Sequence, residues 1–131
     1  MSIMAKVTVE SLQNLRQEVR IRQHTLYGDE APEVGGEDTA PTPHEFLLAA
    51  LGNCTSMTLL IYARRKGMPL EKVRVELEEQ KLEPGVTEIR RDIHLEGPLS
   101  DEQRTRLLEI AAKCPVHRTI TGEVRVKDRL V

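Results

Sequence analysis

Alternating apolar and polar positions predict strands in three parts of the chain. Residues 6–28 are interpreted as strands because Val7, Val9, Leu15, Val19 and Ile21 stand among polar neighbours. Residues 73–77 and 89–95 alternate with a period of two, and Pro84-Gly85 predicts the turn between them. A last alternating stretch predicts a strand from Glu123 to Lys127.

A long helix is predicted from about 43 to 66. Thr42-Pro43-His44-Glu45 combines an N-cap hydroxyl, a proline at the first helical position and the glutamate of a capping box. Arg64-Arg65-Lys66-Gly67 is typical of a helix end. Between these ends the residues are apolar or small on every face, which indicates a central helix surrounded by protein.

A second helix is predicted after another capping box, Ser100 to Gln103, and Pro115 is expected to end it at about Lys113 or Cys114. The segment 28–43 is predicted to be a loop. The order of strands, long helix, hairpin, helix and strand predicts an α+β fold. With 131 residues, the chain is expected to form a single domain, 1–131.

Composition excludes several classes of function. There are 19 basic and 21 acidic residues and no basic cluster with interleaved aromatics, so no nucleic-acid partner is expected. No segment is judged apolar for long enough to span a bilayer, and MSIMAKVTVE lacks the pattern of a signal peptide. A cytoplasmic location is therefore predicted. The only aromatic residues are Phe46, Tyr27 and Tyr62, and so thin a core suggests that a second subunit shares it.

The two cysteines are the residues most open to chemistry. In a reducing compartment they are inert core residues, metal ligands or redox-active groups. Cys54 lies mid-helix, where an unassisted thiol with a pKa of ~8.5 is mostly protonated. A guanidinium about 4 Å away would favour the thiolate by roughly 4 kcal/mol, enough to make it the majority form. Cys114 precedes proline and could move towards a partner.

A metal site is an alternative interpretation of the same cysteines. Its ligands would be Cys114 and His117, with Cys54 and either His44 or His94 completing the set. Only one short-range ligand pair exists, whereas a structural zinc site usually has two, so no metal is predicted.

The segments GGEDTAPTPHEFLLAALGNCTSMTLLIYARRKG (35–67) and LLEIAAKCPVHRTITGEV (107–124) resemble the OsmC/Ohr family. They are most similar to the OsmC-like branch with a Cys-Pro-Val-His motif. The resemblance extends from about residue 12 to 127. It implies an intertwined homodimer in which antiparallel sheets wrap around long central helices, with each active site at the subunit interface.

The resemblance also implies an activity, a cysteine-based peroxidase that reduces organic hydroperoxides to alcohols. Cys54 corresponds to the peroxidatic cysteine and Cys114 to the resolving one, so a Cys54–Cys114 disulfide is expected in the cycle. An external dithiol, commonly a dihydrolipoyl group in this family, would reduce that disulfide, and no bound cofactor is expected.

The resemblance transfers two further site residues less directly. The activating arginine is assigned to Arg16, with Arg20 as the second choice. The family's anchoring glutamate lies ten residues before the cysteine, where this chain has His44; Glu45 follows one place later. Either Glu45 reaches the arginine or the arginine is held differently. The alternative is that the chain is a non-catalytic OsmC-like protein, which binds a small ligand or is associated with the stress response.

Overall fold

The computed structural model describes residues 5–131. Residues 1–4, which belong to the stretch examined for a signal peptide, lie outside the described residues. The described chain divides into two compact units, one ending at Leu47 and the other formed by Leu48–Val131. The prediction of a single domain over 1–131 stays a prediction. The architecture is α+β with antiparallel sheets and one long helix, as the sequence predicts.

The first unit contains an antiparallel sheet of three strands. These are β1 (Thr8–Ser11), β2 (Gln17–Ile21) and β3 (His24–Gly28), paired in the order β1-β2-β3. The predicted loop after β3 contains one 3₁₀ turn at Pro32–Val34. Several apolar side chains of this unit are exposed, among them Val9, Leu12 and Leu26. The first unit therefore presents apolar surface that its described residues leave uncovered.

Helix α1 spans Pro43–Lys66 and confirms the predicted long helix. The capping box is present, since the Thr42 N–H donates to Glu45 Oε1 (2.8 Å) and the Glu45 N–H donates to Thr42 Oγ1 (3.3 Å). At the other end Gly67 has a φ of 68°, a left-handed conformation that glycine adopts without strain. By length and composition alone α1 could span a membrane, contrary to the sequence-based judgement. The core helix of a soluble protein meets the same criterion.

The second unit places a hairpin and two helices against the rest of α1. Strands β4 (Lys72–Glu83) and β5 (Val86–Glu96) are antiparallel, and Gly85 in the predicted turn has a φ of 83°. Helix α2 (Asp101–Ala111) begins with the predicted capping box at Ser100 and ends two to three residues earlier than expected. The core consists of Leu59 and Ala63 of α1 with three residues of α2, namely Leu107, Ile110 and Ala111.

The predicted strand at Glu123–Lys127 is wrong. Residues 123–131 form no helix or strand, and they pair with none of the five strands in the described part of the chain. A strand is stabilised by hydrogen bonds to a neighbour, so alternation alone does not produce one. The sequence also failed to predict helix α3 (Pro115–Thr121), which follows Cys114 directly.

Helix α1 is buried on one face only. Its buried residues recur every four positions, at Leu51, Thr55, Leu59 and Ala63. On the opposite face Met57 and Ile61 are 59% and 47% exposed. The sequence predicted that protein surrounds this helix on every side. Within the described part of the chain, only one face of the helix is covered.

Candidate functional site

Cys54 and Cys114 lie together in the second unit, although about 60 residues separate them in sequence. Cys54 is half-buried on α1, and Cys114 is fully buried at the joint between α2 and α3. The Cys54 side chain is close enough to Cys114 to affect the pKa of that thiol, and both cysteines are free thiols. The structure thus brings the two predicted redox residues together.

The start of α3 supplies a main-chain donor to each sulfur. The Val116 N–H donates to Cys54 Sγ (3.5 Å), and the His117 N–H donates to Cys114 Sγ (3.3 Å). Cys114 is the N-cap of this helix, with φ −65° and ψ 139°, and Pro115 occupies the first helical position. Pro115 therefore turns the chain so that both sulfurs face main-chain N–H groups.

The pKa of Cys114 is raised above its ordinary value. Burial is the main cause, because removing a thiolate from water is costly. A hydrogen bond and the charge of Cys54 raise this pKa further, whereas the His117 N–H and the Thr55 side chain lower it. Cys114 therefore favours the protonated thiol at rest.

A guanidinium approaches the cysteine pair through Thr55. Arg91 Nη1 of β5 donates to Thr55 Oγ1 (3.0 Å), and Thr55 directly follows Cys54. Arg91 is not among the site residues predicted from the sequence. A signal was present, since Arg91 occupies an inward position of an alternating strand, between Ile89 and Ile93.

Arg16 lies in the first unit and is held by neighbours other than Glu45. Its Nη1 donates to Thr39 Oγ1 (2.7 Å) and to the Thr39 carbonyl oxygen (3.2 Å). The guanidinium lies 4.4 Å from the centre of the Tyr27 ring, a cation–π contact. Thr39 and Tyr27 therefore contact this arginine, while the Glu45 carboxylate accepts a hydrogen bond from the Thr42 N–H at the start of α1.

Asp29 orders the loop that holds Arg16. This carboxylate is buried and accepts hydrogen bonds from Thr39 Oγ1 (2.5 Å), the Thr39 N–H (3.0 Å) and the Glu30 N–H (2.8 Å). The hydrogen bond from the Thr39 hydroxyl is the main cause that lowers the pKa of Asp29 to about 2. Thr39 thus links a buried carboxylate to the Arg16 guanidinium.

The second choice of arginine, Arg20, is engaged by two carboxylates. It pairs with Glu18 and, at 3.3 Å, with Glu10. The hydrogen bond to Glu18 is the main cause that raises the pKa of Arg20. These pairs leave Arg16 as the better candidate in the first unit.

The structure gives no support to the metal alternative. Within residues 5–131, no three or more His, Cys, Asp or Glu side chains are grouped so that they could bind a metal ion. His94 Nε2 instead lies 2.8 Å from Glu76 Oε1, in an exposed pair on the hairpin.

A groove runs between α1 and β4. Gly52, Asn53 and Ser56 line it on the helix side, and Val73, Val75 and Leu77 line it on the strand side. Gly52 permits this close packing, because a Cβ atom there would lie 2.7 Å from Leu77 Cδ1. The groove combines an apolar wall with a polar edge, a pattern suited to a small amphipathic molecule.

Comparison with known proteins identifies the family. The family model described as "OsmC-like protein" matches residues 35–128, and the chain belongs to this family. The branch defined by the Cys-Pro-Val-His motif stays a prediction. No curated protein matches the sequence.

Solved structures with the same fold come from several bacteria. An OsmC-like protein from Mycoplasma pneumoniae is 19% identical over 93% of this chain and 90% of its own, with a TM-score of 0.78. An organic hydroperoxide resistance protein OsmC from Legionella pneumophila is 18% identical over 92% and 93%, with a TM-score of 0.67. An organic hydroperoxide resistance protein from Elizabethkingia anophelis is 17% identical over 93% and 91%, with a TM-score of 0.69.

Proposed function

We propose that this protein is a thiol-dependent peroxidase that reduces organic hydroperoxides to alcohols. The main support is the adjacency of Cys54 and Cys114, each with a main-chain N–H directed at its sulfur. A pair of inert core cysteines would not require either donor. Membership of a family whose structural neighbours include organic hydroperoxide resistance proteins supports the same activity.

The proposed reaction proceeds in three balanced steps. The Cys54 thiolate attacks the O–O bond of the hydroperoxide, so Cys54 becomes a sulfenic acid and the alcohol leaves after protonation. The Cys114 sulfur then displaces hydroxide from that sulfenic acid, which forms the Cys54–Cys114 disulfide and releases water. An external dithiol, for which we propose a dihydrolipoyl group, reduces the disulfide and is itself oxidised. No bound cofactor takes part.

Arg16 is proposed to activate Cys54 and to bind the peroxide. Its guanidinium is already fixed by Thr39 and Tyr27, and a fixed fork of N–H donors suits a peroxide oxygen. Glu45 is retained as a candidate anchor, although its carboxylate is engaged at the start of α1.

We further propose that the protein is a cytoplasmic homodimer that binds neither nucleic acid nor membrane. Met57 and Ile61 form an exposed apolar stripe on α1, and large exposed apolar surfaces mark interaction sites. Met57→Glu is expected to produce a monomer in analytical ultracentrifugation, because a charge would be buried at the interface. Wild-type protein that sediments as a monomer would contradict the dimer.

The test of the peroxidase is the consumption of cumene hydroperoxide in the presence of dihydrolipoamide. Cys54→Ser is expected to abolish turnover. In the absence of the dithiol, Cys114→Ser is expected to react with one equivalent of peroxide and stop at the sulfenic acid. If the Cys54→Ser protein retains the wild-type rate, the proposal is wrong.

The second candidate is a non-catalytic protein that binds a small amphipathic ligand. The engagement of Glu45 in the capping box and the groove lined by Gly52, Asn53 and Leu77 favour it. This role predicts that Cys54 stays reduced under excess organic hydroperoxide, which intact-protein mass spectrometry would show.

A further inference from the structure

Arg91 is a charged residue on the apolar side of the β4–β5 hairpin. Alternate residues of β5 point inwards, and the inward neighbours of Arg91 are Ile89 and Ile93. Across the ladder its partner is Leu77. A charge among apolar residues is costly unless it is paired or hydrogen-bonded, and the guanidinium meets this need at Thr55. The hydrogen bond from Arg91 to Thr55 therefore explains why a charged residue occupies this inward position of β5.

Thr55 is fully buried between Arg91 and the cysteine pair. Its hydroxyl accepts a hydrogen bond from Arg91 (3.0 Å) and donates to the Leu51 carbonyl oxygen (2.7 Å). The same hydroxyl is close enough to Cys114 to lower the pKa of that thiol. It has a single hydrogen, so it donates either to Leu51 or to Cys114 at any moment.

The hydroxyl can turn from Leu51 to Cys114 at little cost. The Leu51 carbonyl still accepts the helical hydrogen bond from the Thr55 N–H, four residues on. The bond from Arg91 meanwhile polarises the hydroxyl and makes it a stronger donor. A thiolate is a far better acceptor than a thiol, so ionisation of Cys114 favours the turn.

We propose that Arg91 and Thr55 are positioning residues for the resolving step, in which Thr55, held by Arg91, donates its hydroxyl hydrogen to the Cys114 thiolate. This inference rests on the proposed peroxidase function. In that step the Cys114 thiolate forms the S–S bond to Cys54 and displaces hydroxide from the sulfenic acid. The same thiolate reappears when an external dithiol attacks Cys54 and Cys114 departs as the leaving group.

The other groups that face Cys114 do not replace this donor. Cys54 of α1 raises the pKa of Cys114, as burial does, while the His117 N–H at the start of α3 lowers it. Arg91 of β5 acts through Thr55. Loss of the Thr55 hydroxyl therefore removes one of the two groups that lower the pKa of Cys114.

The first test needs no peroxidase activity. The Cys54→Ala variant leaves Cys114 as the only thiol, and the far-ultraviolet absorbance of its thiolate is measured against pH. The midpoint of this titration is the ionisation midpoint of Cys114. The double variant Cys54→Ala, Cys114→Ala serves as the blank. Thr55→Val and Arg91→Gln are expected to raise this midpoint by about one pH unit, the effect of losing a hydrogen bond to a charged group. Thr55→Ser, which keeps a hydroxyl, should retain the midpoint. Unchanged midpoints in Thr55→Val and Arg91→Gln would overturn the inference, even if peroxidase activity is found.

The second test separates the resolving step from the attack on peroxide. After one equivalent of cumene hydroperoxide, the Cys54 sulfenic acid is trapped with dimedone at successive times. In Arg91→Gln and Thr55→Val its lifetime is expected to increase about tenfold, while the rate at which it forms stays unchanged. Arg90→Gln, on the exposed side of the same strand, is the matched control and should resemble wild type. A slower attack with an unchanged lifetime would overturn the assignment to the resolving step. Absence of both the trapped sulfenic acid and the Cys54–Cys114 disulfide in wild type would contradict the proposed function, and the midpoints would still decide whether Thr55 and Arg91 stabilise the Cys114 thiolate.

Discussion

Leu107 and Leu108 are consecutive leucines of α2 with opposite surroundings. Leu107 is fully buried against Leu59 and Ala63 of α1, whereas Leu108 is 63% exposed. Substitution by alanine removes the same atoms and changes helix propensity equally at both positions. Any difference in stability between the two variants therefore measures burial.

The expected magnitudes differ severalfold. Leu107→Ala should lower the free energy of unfolding by about 3 kcal/mol, because it removes a buried side chain and leaves a cavity in the core. Leu108→Ala should cost less than about 1 kcal/mol, as surface substitutions do. For a domain of this size, about 3 kcal/mol corresponds to a decrease in Tm of about 10 °C.

Urea unfolding followed by circular dichroism measures both variants directly. The free energy of unfolding should fall with urea concentration at the same slope in wild type and both variants. Differences in the urea midpoint then report differences in stability. Equal losses in the two variants would refute the packing of α2 on α1 described above. A larger loss in Leu108→Ala would refute it as well.

Three further predictions concern pH and the start of α1. The folded-state pKa of Asp29 is lowered from 3.8 to about 2, so its stabilisation is present above about pH 4 and is lost as the pH falls to about 2. Asp29→Asn should flatten that loss in acid unfolding curves, and an equally steep loss in the variant would contradict this reasoning. The raised pKa of Cys114 stabilises the fold below the ordinary thiol pKa of ~8.5, so stability should decrease as the pH rises above it. Cys114→Ala should remove that alkaline decrease in thermal unfolding; a persistent decrease would point to another group. Glu45→Ala should cost about 1 kcal/mol in urea unfolding through loss of the capping box, whereas Glu45→Gln keeps the hydrogen bond and should unfold as wild type does.

Local signals in the sequence were sufficient for most of the fold. Helix α1, the capping box at Ser100, the turn at Pro84-Gly85 and the strands of the first unit were predicted because each depends on neighbouring residues. Helix α3 was missed because Val116, Thr119, Ile120 and Thr121 are β-branched and disfavour a helix. It is held instead by contacts between nearby residues, since Cys114 Sγ caps its start and two threonine hydroxyls donate back to its carbonyls.

The candidate site was only partly predictable. The resemblance assigned Cys54 and Cys114, and the structure places them together. The support of Arg16 by Thr39 was not predictable, because it depends on how the loop folds around the buried Asp29. The approach of Arg91 to Thr55 was missed for a similar reason, since it joins residues 36 positions apart.

The pairing of Cys54 with Cys114 is tested most directly by peptide mass spectrometry of the reduced protein after one equivalent of organic hydroperoxide. We predict a single intramolecular disulfide that links the peptide containing Cys54 to the peptide containing Cys114. Unmodified Cys54, or Cys54 oxidised to a sulfinic acid with Cys114 still free, would contradict the proposed redox pair.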